Sequence, residues 1–274
     1  MNIGSWDSDS GEVYVIAECG VNHNGDPVKA GHLLIQAAQA GANAVKFQWF
    51  KTDALVARRG PSAEALRPYE LQPYAFADLK AMAKNHGVDF LCSVFDQQSA
   101  AEYLALDPPA VKIGSGELTD VSLIRGVAYA SSWPIILSTG MSTMREVSKA
   151  ILEIPGRDRV ALLHCVSAYP TPLEQVNLRA MDALKAFHCP VGWSDHTVSP
   201  YAVIAAVARG AVIIEKHLTL DRTLPGPDHY ASTEPRHFKM LVEEIRLITG
   251  ILGSGEKRVM PCEAATMKAI GRTP

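Results

Sequence analysis

Two histidines, His196 in GWSDHT and His217 in IEKHLTLD, each end a short apolar run. Neutral imidazoles about one strand apart can share a divalent ion, with water and substrate oxygens taking the remaining positions. The same placement also fits a pair of catalytic bases or two hydrogen-bonded structural residues. Asp228, in LPGPDHYAS, follows in a loop rich in proline and glycine. It either holds a metal-bound water, acts as a base, or forms a turn beside Pro227. Two lysines, Lys46 in AVKFQ and Lys112 in AVKIG, lie inside otherwise apolar runs. An ammonium there must pair with a carboxylate or face an anion, because burying it alone is costly. Ser93, Ser115 and Ser138 stand at nearby run ends, and Gly114, Gly116 and Gly140 let backbone amides approach. Two lysines with hydroxyls and amides favour a phosphate cradle over a simple ion pair.

Glu18, Gln48, Glu117, Ser167, Tyr169, Ser194 and Glu215 also fall at the ends of apolar runs. Any one of them alone reads as a satisfied polar residue at a strand end. Together they would incur several desolvation penalties of about a few kcal/mol each unless a ligand shared them. The runs that carry them span residues 13–18, 44–48, 88–93, 110–114, 134–139, 160–165, 190–193 and 212–217. Each is almost wholly apolar rather than alternating, as parallel strands covered on both faces are. Stretches at 27–40, 74–85, 143–154, 200–209 and 235–249 read as helices between them. The pattern predicts an α/β chain folded as a single-domain (β/α)₈ TIM barrel, whose active sites are built at the C-terminal ends of the strands. Gly41, Gly87 and Gly210 fit helix C-termini, Ser142 is the expected N-cap of the 143–154 helix, and Ser199 precedes Pro200 at another.

The chain has 274 residues, which permits one large core. No linker or change of composition divides it, so residues 1–11 read as a polar N-terminal extension, 12–260 as the barrel and 261–274 as a tail. Lys and Arg number 26 against 29 Asp and Glu, a net charge of −3. That balance argues against a nucleic-acid binder, which would need a basic stripe. Neither a long apolar run nor a secretory leader is visible, so no membrane association is expected and the cytoplasm is the expected compartment. Five cysteines without a CxxC pair read as reduced, mostly buried thiols.

The segments IAECGVNHNGD, AVKFQ, FLCSVFD, VKIGSGELTD, PIILSTGMST, LLHCVSAYPTP, GWSDHT and IIEKHLTLDRTLPGPDH resemble, in order and spacing, the sialic acid synthase family. The resemblance runs over roughly residues 12–250. It implies a transferase that condenses phosphoenolpyruvate (PEP) with a sugar aldehyde to give a high-carbon 3-deoxy-2-keto acid and phosphate. On that resemblance Lys46 and Lys112 bind the phosphate and carboxylate of PEP, with Ser93, Ser115, Ser138 and Ser167 beside them. His196 and His217 are the implied metal ligands; Mn²⁺ is the expected ion, with Mg²⁺ or Co²⁺ as alternatives. Glu18 lies near the metal and reacting carbons, Glu117, Gln48 and Tyr169 on the acceptor side, and Glu18 or Asp228 positions the attacking water. A homodimer is expected by analogy.

Two departures weaken the identity of the acceptor more than that of the reaction. Ser167 stands where N-acetylneuraminate synthases usually carry asparagine. The sequence stops at Gly271-Arg272-Thr273-Pro274, where the family's antifreeze-like domain would begin, so that domain is expected to be absent. The stretch after AVKFQWFKTDALV is expected to be compact. Two other readings compete: a metal-dependent aldolase or lyase acting on pyruvate, and a non-catalytic barrel that binds a ligand.

Overall fold

A computed structural model describes residues 1–272; Thr273 and Pro274, the end of the expected tail, lie outside the described residues. The eight apolar runs become parallel strands: β3 (Tyr14–Gly20), β4 (Ala44–Trp49), β5 (Asp89–Val94), β6 (Val111–Ile113), β7 (Ile135–Ser138), β8 (Val160–His164), β9 (Val191–Asp195) and β10 (Ile213–His217). They pair in chain order and close when β10 pairs with β3, His217 standing beside Glu18. A short antiparallel hairpin, β1 (Asn2–Ile3) and β2 (Trp6–Asp7), precedes them.

Successive side chains on a strand point to opposite faces. Tyr14, Ile16, Ala44, Leu91, Ile136, Leu163 and Ile213 meet inside the barrel. Their neighbours Val15, Ala17, Val45, Phe47, Leu137, Leu162 and Ile214 pack outward, against the helices. Carrying the inward set two residues further toward the strand ends brings it to Glu18, Lys46, Ser93, Ser138 and Glu215, all buried. The alternation that fills the core therefore also aims the polar residues at the mouth.

Residues 1–11 are more than a polar extension. Ile3 and Trp6 are buried against the inner cluster at the N-terminal end of the strands. The Trp6 ring lies 5.1 Å from that of Tyr14, and its Nε1–H donates to the Glu12 carbonyl at 2.8 Å. The hairpin is the floor of the barrel, and three apolar side chains, Met1, Ile3 and Trp6, in an otherwise polar stretch were too weak a pattern to announce it.

The expected helices form at Pro27–Gln39, Pro73–Asn85, Met144–Leu152, Tyr201–Ala208 and Pro235–Leu252, with others at Gln97–Leu104, Val121–Ala130 and Ala180–Leu184. Asp26 caps the first, accepting from the Val28 amide at 2.8 Å. The cap of Met144–Leu152 is Thr143 rather than Ser142: the Thr143 hydroxyl accepts from the Glu146 amide, and the Glu146 carboxylate accepts from the Thr143 amide at 2.7 Å. That reciprocal pair satisfies two end amides where Ser142 would satisfy one. The connection after β4 holds an additional helix, Thr52–Arg59, and a three-ten segment, Pro61–Tyr69. All five cysteines are free, and only Cys262 is exposed. Among the described residues no helix is long and apolar enough to cross a membrane.

Trp6→Ala should leave a cavity in the barrel floor and destabilise the protein by about 3–5 kcal/mol. Urea unfolding of the variant measures this directly, and a loss below about 1 kcal/mol would mean that the hairpin is not an integral floor.

Candidate active site

The C-terminal ends of the strands surround a cavity of about 370 Å³. The residues assigned catalytic, substrate or metal roles from the sequence all line it: Glu18, Lys46, Gln48, Ser93, Lys112, Ser115, Glu117, Ser138, Ser167, Tyr169, His196, His217 and Asp228. They come from all eight strands or the loops that follow them, so no short piece of chain contains the site.

Its centre is a buried cluster of two ammonium groups and two carboxylates. Lys46 Nζ lies 2.5 Å from Glu18 Oε2 and 3.5 Å from Glu215 Oε2, and donates to Ser93 Oγ at 2.7 Å. Lys112 Nζ lies 3.5 Å from Glu215 Oε1, which also accepts from Ser194 Oγ at 2.8 Å. Gln48 Nε2 donates to Glu18 Oε1 at 3.1 Å. Burial works against charge at Glu215, but Lys112 and Lys46 overrule it and hold the carboxyl at about 2. At Glu18 burial prevails over Lys46, and the carboxyl is pushed up. Burial would discharge Lys46, but Glu18 and Glu215 reverse this and raise it. Lys112, facing less compensation, is lowered by burial. Glu215 received no role from the sequence; its inward register, two residues before His217, is the signal that identifies it.

His196 and His217 stand beside this cluster with ring centroids 5.4 Å apart. Tyr169 covers them, its ring 4.2 Å from His196 and 5.7 Å from His217. His196 Nδ1 lies 2.7 Å from the Val166 carbonyl, which fixes that nitrogen as the donor and leaves the lone pair on Nε2. Among the described residues His217 Nδ1 is buried without a hydrogen-bond partner, and Asp228 Oδ2 lies 3.5 Å from it. Burial lowers both imidazoles, His217 further through the neighbouring His196, so both are neutral bases. Neutral rings with a free or orphaned nitrogen are the donor chemistry of a borderline divalent ion. Among the described residues no three His, Cys, Asp or Glu side chains are arranged to hold a metal together, so an ion here would depend on water or substrate oxygens as well. Asp228 is pushed up to about 7, by burial and then by the charge of Glu18.

The largest surprise is the connection after β4. Helix Thr52–Arg59 delivers Arg59 into the cavity, and Arg58 and Arg59 both donate to Glu117 Oε1, the Arg58 bond at 2.8 Å. A long side chain reaching across from a neighbouring loop leaves no periodic trace in a sequence. A second cavity, of about 250 Å³, lies outside the barrel against Pro235–Leu252 and is lined in part by Lys216. Lys216 has outward register, and its ammonium is committed to Asp195 at 2.6 Å, so it is separate from the chemistry at the mouth.

Residues 33–257 match the model of the NeuB family. An uncharacterized protein of Methanocaldococcus jannaschii is 43% identical over 253 residues, covering 91% of this chain and 75% of that protein. The N,N'-diacetyllegionaminic acid synthase of Legionella pneumophila is 41% identical, covering 94% of this chain and 79% of the synthase. The crystal structure of N-acetylneuraminic acid synthetase from Leptospira borgpetersenii superposes with a TM-score of 0.89 at 32% identity, over 95% of this chain and 92% of that one. With its closed barrel, its converging polar residues and a match over most of its length, the chain belongs to the NeuB family.

Proposed function

We propose that this chain joins PEP to a sugar or sugar-like aldehyde, giving a nonulosonic-type 3-deoxy-2-keto acid and phosphate. The observation that carries this reading is the pair of buried lysines amid serine hydroxyls at the barrel mouth. A trianionic substrate needs such a cradle, whereas pyruvate alone would not. Ser138 Oγ is buried without a hydrogen-bond partner among the described residues, and Ser115 Oγ accepts from the Gly140 amide at 3.1 Å. Gly140 allows the loops to converge: a Cβ there would stand 2.3 Å from Ser167 Oγ and 2.9 Å from Ser115 Oγ.

In this reading Lys46 and Lys112 hold the phosphate and carboxylate of PEP and keep its C3 facing the aldehyde. C3 attacks the aldehyde carbon: a C–C bond forms, the C=O π electrons move to the aldehyde oxygen, which takes a proton from solvent to become a hydroxyl, and C2 becomes electron-poor. Water adds at C2, and the bond from C2 to the phosphate oxygen then breaks, the C2 hydroxyl giving its proton to the departing phosphate as the ketone forms. Asp228 takes the proton of that water, because both oxygens of Glu18 are already engaged by Lys46 and Gln48. His196 and His217 would hold a divalent ion, Mn²⁺ by preference with Mg²⁺ or Co²⁺ as alternatives, which supplies Lewis-acid polarisation of the aldehyde oxygen. Glu117, Gln48 and Tyr169 face the acceptor. The protein works on small molecules, in the cytoplasm, as a homodimer packed through its barrel helices; light scattering that finds a monomer would remove the last of these.

PEP offered with a panel of aldehydes should release phosphate and yield a product whose mass is that of the aldehyde plus pyruvic acid. Binding of PEP with no phosphate release from any aldehyde would end the condensation reading. His217→Ala should lower turnover by about 100-fold or more, and EDTA should abolish it until Mn²⁺ is restored; full activity in EDTA would remove the metal. Gly140→Ala should weaken PEP binding about 10-fold, roughly 1.4 kcal/mol, with little change in melting temperature. Unchanged PEP affinity in that variant would place the phosphate elsewhere.

A further inference from the structure

The loop that carries Asp228 has little support of its own. Residues 224–228 lie outside any helix or strand, and two of them, Pro225 and Pro227, have no amide hydrogen to donate. Asp228 then precedes a single three-ten turn, His229–Ala231. Yet its carboxyl lines the cavity and stands 3.5 Å from His217 Nδ1. A segment so poor in backbone hydrogen bonds holds one place only if side chains fix it.

Those side chains come from the loop after β3, the strand that closes the barrel against β10. Asn22, His229 and Ser232 are all buried. Asn22 Nδ2 donates to the Leu218 carbonyl at 2.9 Å and to Ser232 Oγ at 2.8 Å. Ser232 Oγ in turn donates to the Asp228 carbonyl at 2.6 Å. Asn24 works on the other side of Asp228: its Nδ2 donates to the Pro225 carbonyl at 3.0 Å, which turns its Oδ1 toward His229 Nε2 at 3.1 Å. Nε2 is therefore the donor of that ring, and Nδ1 accepts from Thr219 Oγ1 at 2.7 Å. The chain is gripped at Pro225, Asp228, His229 and Ser232, before and after the carboxyl.

The backbone is shaped to this grip. Gly226 has φ +155°, and a Cβ on it would stand 2.6 Å from His229 Cδ2 and 3.2 Å from Asn24 Oδ1. Asn24 has φ +52°, a left-handed conformation that asparagine adopts more readily than most residues. The ladder between β3 and β10 already closes the barrel, so these contacts beyond the strand ends serve the loop rather than the sheet. We infer that Asn22, Asn24, His229 and Ser232 are positioning residues for the reaction: they latch the loop after β10 to the loop after β3 and so aim the Asp228 carboxyl at the reacting water. This inference rests on the condensation reading, in which Asp228 takes the proton of that water, and adds to it the residues that hold the base in place.

The test is a double-mutant cycle. Asn24→Gly removes the amide while keeping the left-handed backbone, Ser232→Ala removes the hydroxyl, and Ser232→Thr restores it. Each is measured alone and combined with Asp228→Asn, by phosphate release from PEP and an aldehyde that the wild type accepts. Asp228→Asn should lower kcat about 100-fold. Asn24→Gly and Ser232→Ala should each lower kcat about 10-fold with KM for PEP within about twofold, and Ser232→Thr should recover most of the loss. In the Asp228→Asn background the same two substitutions should change kcat less than about twofold, as residues acting through one group do. Either variant decides the matter should the other fail to fold. Equal losses of kcat in both backgrounds, or a KM for PEP that rises in step, would mark a merely structural role and overturn the inference while leaving condensation intact. Full activity in Asp228→Asn does the same. A wild type that releases no phosphate with any aldehyde overturns both.

Discussion

In a closed parallel barrel each strand residue faces either the interior or the surrounding helices, and the chain alternates between the two at every step. This constraint governs the whole molecule. Tyr14 and Ile16 fill the interior, so Glu18 must enter the mouth; Ile213 faces inward, so Glu215 and His217 follow it. The same rule sends Asp195 and Lys216 outward, where they pair with each other rather than with a substrate. A shift of one residue in a strand would exchange that strand's two faces and withdraw its polar residue from the site.

The charges themselves are held by mutual compensation. Lys46, Lys112, Glu18 and Glu215 are all at least 97% buried, a situation that is tolerable only because each has an opposite charge nearby. Removing one member of a buried pair typically costs about 3–5 kcal/mol, since its partner is left uncompensated. Within the cluster Glu18 and Glu215 hold Lys46 cationic, while burial lowers Lys112; both amine groups are buried, where attraction for an anion is little screened. Beside it the two histidines are kept neutral by the same burial, so one region of the barrel brings buried amine groups and imidazole lone pairs close together.

The mouth is finished by segments that the strand pattern does not control. The connection after β4 supplies Arg58 and Arg59 to Glu117, and the loop after β10 supplies Asp228 to His217. The buried lysine–glutamate cluster depends on strand register, whereas this loop wall depends on where long side chains come to rest.

The sequence by itself determined the strands, their order and the position of Lys46, Lys112, His196 and His217 in or at the ends of them. Apolar runs covered on both faces are local properties that survive without coordinates, whereas which residues of such a run face inward is set by barrel closure. The sequence also placed Ser142 as a cap where Thr143 serves, because neighbouring hydroxyls differ only in which amide they can reach. Tertiary structure alone decided that Ile3 and Trp6 close the floor, that Glu215 bridges the two lysines, and that Arg59 enters the cavity. Those outcomes depend on distances between segments far apart in the chain, set by barrel closure and by the reach of flexible side chains, and no linear pattern encodes them.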